Sequence, residues 1–134
     1  MTKHRNDWEQ YFQSLNLEGR AFIDGEYRWA ASGETFDSIS PVDGRFLAKV
    51  ASTDEADADA AVLAARRAFE SGTWRLQAPA ARKRVLIRFA DLILEHQEEL
   101  ALLETLDMGK PIGDSMAIDV PATANAIRWN AEAI

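Results

Sequence analysis

The chain contains no cysteine among its 134 residues. That excludes a disulfide framework, a thiolate nucleophile and any Cys-ligated metal supplied by these residues. Positive charge is scarce as well. The 15 Lys and Arg are outweighed by 22 Asp and Glu, leaving a net charge of −7. A surface of that sign repels the nucleic-acid backbone and anionic lipid, so neither nucleic acid nor membrane is an expected partner. No apolar run approaches the ~20 residues of a membrane-spanning helix. The first eight residues, Met1 to Trp8, are polar and of mixed charge, without the apolar stretch of a signal peptide. A cytoplasmic protein is expected. Histidine is limited to His4 and His96, too isolated to form a metal pair or a catalytic dyad. No internal repeat or low-complexity tract occurs, and the alanine-rich run from Ala56 to Ala68 is helix propensity. What is abundant is apolar content: 47% hydrophobic residues suffice for the core of one domain.

The first third reads as a short helix followed by β-structure. Trp8, Tyr11, Phe12 and Leu15 recur at helical spacing between Asp7 and Leu17, with Gly19 as the stop. Two apolar runs, Ala21–Ile23 and Glu26–Trp29, flank Asp24-Gly25, the dipeptide suited to a two-residue hairpin turn. Ser32-Gly33 and Pro41-Val42-Asp43-Gly44 mark further turns around strands at Thr35–Ile39 and Phe46–Val50. These strands are expected to form one small antiparallel sheet.

The rest reads as helix. Ser52 and Glu55 stand at capping-box spacing, and Ala58, Val62, Ala65 and Phe69 then share a face that ends at Gly72. Pro79 suits a first helical turn. Leu86, Phe89, Ala90 and Ile93 form the next stripe, with Arg82, Lys83, Arg84 and Arg88 on the solvated side. A bend is expected at His96 to Glu99, before Leu100, Leu103 and Leu106. Gly109-Lys110-Pro111 then stops the helix, because glycine takes the left-handed cap and proline cannot continue the ladder. Asp119 is expected to cap a last helix with Pro121 in its first turn and Ala124, Ile127, Ala131 and Ile134 on its apolar face. That stripe carries no stop signal, so a truncated N-terminal portion of a longer protein is expected. By itself this is an α+β fragment: a small antiparallel sheet followed by amphipathic helices.

Four segments, in this order and spacing, resemble the N-terminus of the aldehyde dehydrogenase superfamily. They are Phe22-Ile23-Asp24-Gly25-Glu26-Tyr27, then Phe36-Asp37-Ser38-Ile39-Ser40-Pro41 with Gly44, then Asp59-Ala60-Ala61-Val62 through Ala68-Phe69. The fourth runs from Arg82 to Leu94 and on through Leu103-Glu104-Thr105-Leu106-Asp107-Met108-Gly109-Lys110-Pro111. The likeness spans roughly residues 20–134. Glu99 to Asp107, Lys110-Pro111-Ile112 and the late Ala126-Ile127-Arg128-Trp129 look most like bacterial enzymes acting on gamma-glutamyl-gamma-aminobutyraldehyde, an aminoaldehyde of polyamine catabolism.

The resemblance implies an α/β parent enzyme in which residues 1–134 form the N-terminal part of the cofactor-binding domain. It implies oxidation of an aldehyde to the acid by a cysteine nucleophile, a hydride acceptor (NAD or NADP) and a glutamate-activated water. It also implies a homodimer or homotetramer. None of the catalytic or cofactor-binding groups lies in this chain, so the fragment alone is expected to be inactive. One site does carry over. Family members hold a monovalent cation, K+ or Na+, on backbone carbonyls, and the matching positions are Ser38, Ile39 and Asp107. The bland reading places Asp107 simply in a final helical turn.

The remaining candidates read as structural. His96 is a dipole partner near a helix end, and Glu104 has no nucleophile or base partner nearby in sequence. Lys110 lacks the preceding Gly-rich loop of a phosphate site and reads as pairing at the helix end. Trp8, Tyr11 and Phe12 read as packing or a subunit contact. The competing function class is a free-standing α+β interaction module without catalysis.

Overall fold

In the computed structural model the described residues are 4–134; Met1–Lys3, the start of the polar N-terminal stretch, lie outside them. The first helix, α1 (Arg5–Ser14), begins where the His4 N–H donates to the Asp7 carboxylate at 2.7 Å. It ends at Leu15, which is extended, so Gly19 is not its stop. That glycine serves a close approach instead. A Cβ there would sit 1.9 Å from the Lys49 carbonyl oxygen, and the Gly19 carbonyl accepts the Ala51 N–H at 2.8 Å.

Strands β1 (Ala21–Ile23) and β2 (Glu26–Arg28) pair antiparallel, with Ile23 opposite Glu26. Asp24 and Gly25 both have positive φ, 57° and 84°, the backbone of the tight hairpin turn that Asp-Gly favours. Strands β3 (Thr35–Ile39) and β4 (Phe46–Ala51) form a second antiparallel pair. The two hairpins do not hydrogen-bond to one another, so the single sheet expected from the sequence is two separate two-stranded sheets. The intervening turn at Ala30–Gly33 is fixed elsewhere. The Ala31 N–H donates to both oxygens of Asp57, at 3.2 and 3.1 Å.

Asp57 lies in the first turn of α2 (Glu55–Ser71) and is only 1% exposed. The cap of this helix is Asp54, not Ser52. Its carboxylate accepts the Ala56 and Asp57 N–H groups, while Asp57 accepts the Asp54 N–H at 3.4 Å. A capping box is present, two residues later than the sequence spacing suggested, with aspartates in both roles. The helix stops at Gly72, left-handed at φ 75°. Its predicted apolar face is bare: Val62 is 63% exposed and Phe69 59%.

Helix α3 (Pro79–Glu95) starts on its proline and is separated by His96 from α4 (Gln97–Met108), which is the expected bend. After Gly109 the chain turns into α5 (Ile112–Asp114), a π-helical turn (Ser115–Asp119) and α6 (Val120–Glu132), one continuous helical run. Asp119 therefore sits inside this run and caps nothing. Pro121 explains the widened turn. It has no N–H, and its ring crowds the carbonyl four residues back. The Val120 N–H bonds five residues back to Ser115, letting the chain pass. The core lies where α3 and α6 cross. Ala90, Ala124 and Ala131 are fully buried there, and side chains this small let the backbones approach closely. Leu102, Leu106 and Val120 extend the core towards α4.

Candidate functional site

The last turn of α4 meets the far end of β3. Gly109, at φ 77°, caps the helix and its N–H bonds the Thr105 carbonyl at 2.9 Å. A Cβ on Gly109 would lie 3.2 Å from the Pro41 side chain, so the helix stop rests on the β3–β4 turn. Across this contact the Ser38 hydroxyl donates to the Asp107 carboxylate at 3.2 Å. Residues 69 positions apart are thereby joined. Next to them the β3–β4 ladder slips. Ser38 faces Ala48 but Ile39 faces Phe46, which makes Leu47 an extra residue on β4. Such a bulge interrupts regular pairing and bends the strand.

All three predicted residues, Ser38, Ile39 and Asp107, therefore converge on one corner. The donors available there are oxygens: a hydroxyl, a carboxylate, and carbonyls at a helix end that carries partial negative charge. Hard oxygen donors suit an alkali cation. Among the described residues no group of three or more His, Cys, Asp or Glu gathers as a metal site, so transition-metal ligation has no such cluster to use. The residues present fit a monovalent cation.

Lys110 behaves differently from its sequence reading. Its ammonium does not turn back to the end of α4 but forms an ion pair with Asp119 in the π-helical turn. That partner raises the Lys110 pKa above the ordinary lysine value. Both side chains are about one-third exposed, at 35% and 28%. Glu104 faces a groove of about 550 Å³ between α3, α4 and α6, lined by Phe89, Leu92, Ile93, Leu100 and Val120. Its other polar lining is His96, Asp119 and Thr123, and no hydrogen bond joins Glu104 to any of them among the described residues. His96 lies 3.5 Å from the Glu99 carboxylate, at the junction of α3 and α4.

The basic run on α3 is not all solvated. Lys83 pairs with Glu132 of α6 at 2.5 Å, and Arg82 is half-buried. These cations border the helix crossing, as does Arg128, which reaches Asp91 at 2.6 Å. The α1 aromatics, read as packing or a subunit contact, are half-buried and touch one another and Arg45. The Trp8 and Tyr11 rings are 6.4 Å apart, and Phe12 lies under the Arg45 guanidinium at 5.2 Å. Arg45 in turn bridges Asp43 and Glu9, at 2.6 and 2.7 Å, and holds both carboxyls below their ordinary values.

Sequence reasoning missed Asp57 as the tether between α2 and the Ala30–Gly33 turn. Its spacing from Asp54 was the available signal. No helix among the described residues is long and apolar enough to cross a membrane.

Residues 28–134 match the aldehyde dehydrogenase family. The NADP/NAD-dependent aldehyde dehydrogenase PuuC of Escherichia coli K12 is 53% identical over 131 residues, covering 98% of this chain and 26% of that protein. Among solved structures, P. syringae AldA indole-3-acetaldehyde dehydrogenase, in complex with NAD+ and IAA, superposes with a TM-score of 0.97. It is 65% identical and the match covers 99% of this chain and 27% of that one. The gamma-glutamyl-gamma-aminobutyraldehyde dehydrogenase from Burkholderia cenocepacia gives 0.93 at 58% identity, over 96% of this chain and 26% of that one. The chain spans about a quarter of the length of the relatives it matches.

Proposed function

The chain belongs to the aldehyde dehydrogenase family, and from that premise we propose that it serves as the N-terminal part of the cofactor-binding domain of an α/β enzyme that oxidises an aldehyde to its carboxylic acid with NAD or NADP. The aldehyde class we favour is an aminoaldehyde of polyamine catabolism, and the working form is a cytoplasmic homodimer or homotetramer. The carrying observation is the agreement of sequence and shape over almost the whole chain with an aminoaldehyde enzyme of the family. The bound nicotinamide supplies a hydride acceptor.

None of the reacting groups comes from these residues, which contain no cysteine. Their part is to brace the domain and to seat a monovalent cation at Ser38, Ile39 and Asp107. Ser38 and Ile39 on β3 and Asp107 at the end of α4 would hold such a cation, and its charge would be neutralised there by their oxygen donors. The free-standing module is disfavoured by Val62, Phe69 and Leu76, large apolar side chains left 59–71% exposed, which a covering layer would bury.

The test is a chimera in which residues 1–134 replace the matching segment of E. coli PuuC. Oxidation of gamma-glutamyl-gamma-aminobutyraldehyde, followed by nicotinamide reduction, is expected from the chimera and absent from residues 1–134 alone. A folded, assembled chimera that reduces no nicotinamide above blank, beside an active PuuC control, overturns the proposal.

A further inference from the structure

A lysine just past a helix C-terminus can fold back on the last carbonyls, where its ammonium meets unpaired acceptors and the negative end of the dipole. Lys110 stands two residues beyond Met108, the last residue of α4, in the position to do so. It does not. Asp119 takes its ammonium, and among the described residues Lys110 makes no hydrogen bond to an α4 carbonyl. Asp119 is the last residue of the π-helical turn before Pro121, and from there its carboxylate meets the Lys110 ammonium. Glu104 and Asp114 add further negative charge around the ammonium. At the same helix end, Asp107 accepts the Ser38 hydroxyl at 3.2 Å and Gly109 rests on Pro41.

We propose that Asp119 is a positioning residue that holds the Lys110 ammonium away from the end of α4, keeping the corner of Ser38, Ile39 and Asp107 open to an external monovalent cation. This rests on the cation reading of the preceding subsection. Without Asp119, the lysine's own ammonium becomes the internal competitor. It needs no binding from solution and carries the same charge, so it displaces K+ by a local rearrangement. The claim differs from a simple brace. A brace is lost whenever either partner of the pair is removed, whereas here removing Lys110 undoes the harm of removing Asp119.

The experiment compares the PuuC chimera with its Asp119→Asn, Lys110→Met and Asp119→Asn/Lys110→Met variants. Thermal midpoints are measured in KCl and in tetramethylammonium chloride at equal ionic strength; the bulky organic cation cannot enter a carbonyl seat. The parent is expected to show a K+-specific rise in midpoint. Asp119→Asn loses that rise, while Lys110→Met and the double variant keep it. Absence of a K+-specific rise in the parent overturns the cation reading. If the parent shows the rise, its retention in Asp119→Asn, or its loss in the double variant, overturns the role of Asp119.

Discussion

Replacing Asp57 with alanine tests the tether on which the first half of the fold depends. The carboxylate is 1% exposed and accepts the Ala31 N–H at 3.1–3.2 Å and the Asp54 N–H at 3.4 Å. A hydrogen bond to a charged group contributes about 1.5–3 kcal/mol, and a buried donor left unpaired costs about 1–3 kcal/mol. The long contact to Asp54 belongs at the weak end, and the anion in the first turn of α2 adds about 0.3–1 kcal/mol through the helix dipole. These overlap, so Asp57→Ala should lose about 2–4 kcal/mol of local stability. Amide hydrogen exchange in the PuuC chimera reads this directly. The Ala31 and Asp54 amides should exchange roughly 30- to 700-fold faster, at tenfold per 1.4 kcal/mol. Asp57→Asn keeps an acceptor and should lose about half as much. An unchanged exchange rate at Ala31 in the alanine variant refutes the tether.

Three further outcomes follow from packing and charge. Ala124→Leu forces a larger side chain into the fully buried crossing of α3 and α6 and should destabilise the chimera by about 1–3 kcal/mol in denaturant titration. Ala122→Leu, on the exposed side of the same helix, should stay within about 0.5 kcal/mol, and equal effects would contradict the seam. Gly19→Ala places a Cβ against the Lys49 carbonyl and should cost about 1–3 kcal/mol; a neutral result would mean that the loop moves freely. Arg20 holds the Glu18 carboxyl down to about 2 through its side-chain hydrogen bond. A depressed carboxyl stabilises the folded state above its unfolded pKa of about 4.3 and loses that contribution as pH falls through the folded value. The stability difference between the parent and Glu18→Gln should therefore shrink between about pH 4.3 and about pH 2. Carboxyl titration by NMR near the unfolded value would contradict the pairing.

Much of the fold was legible because its signals are local. Asp24-Gly25, Gly72, Pro79 and Gly109 each fix a backbone conformation through their own covalent structure, and each stands where the sequence placed it. The errors arose where tertiary partners decide. Gly19 resembles a helix stop, yet the Lys49 backbone passing beside it is what requires glycine. Asp119 resembles a cap, yet Pro121 widens the preceding turn, absorbing it into a longer helix, and Lys110 claims its carboxylate. Two hairpins spaced for one sheet stand as two separate sheets, and the turn between them bonds instead to Asp57 of the following helix. At the candidate site Ser38, Ile39 and Asp107 were named through a family likeness. Their meeting depends on a strand bulge and a helix end 69 residues apart, a distance over which no local pattern reaches.

Val62, Phe69 and Phe89 leave the faces of α2 and α3 bare, and the proposed place of this chain in an aldehyde dehydrogenase requires further layers to cover them. Sedimentation velocity of residues 1–134 alone, paired with apolar-dye binding and a thermal melt, tests this most directly. The prediction is a dye-binding, self-associating species with no sharp transition. A monodisperse monomer that excludes the dye and melts cooperatively would contradict it.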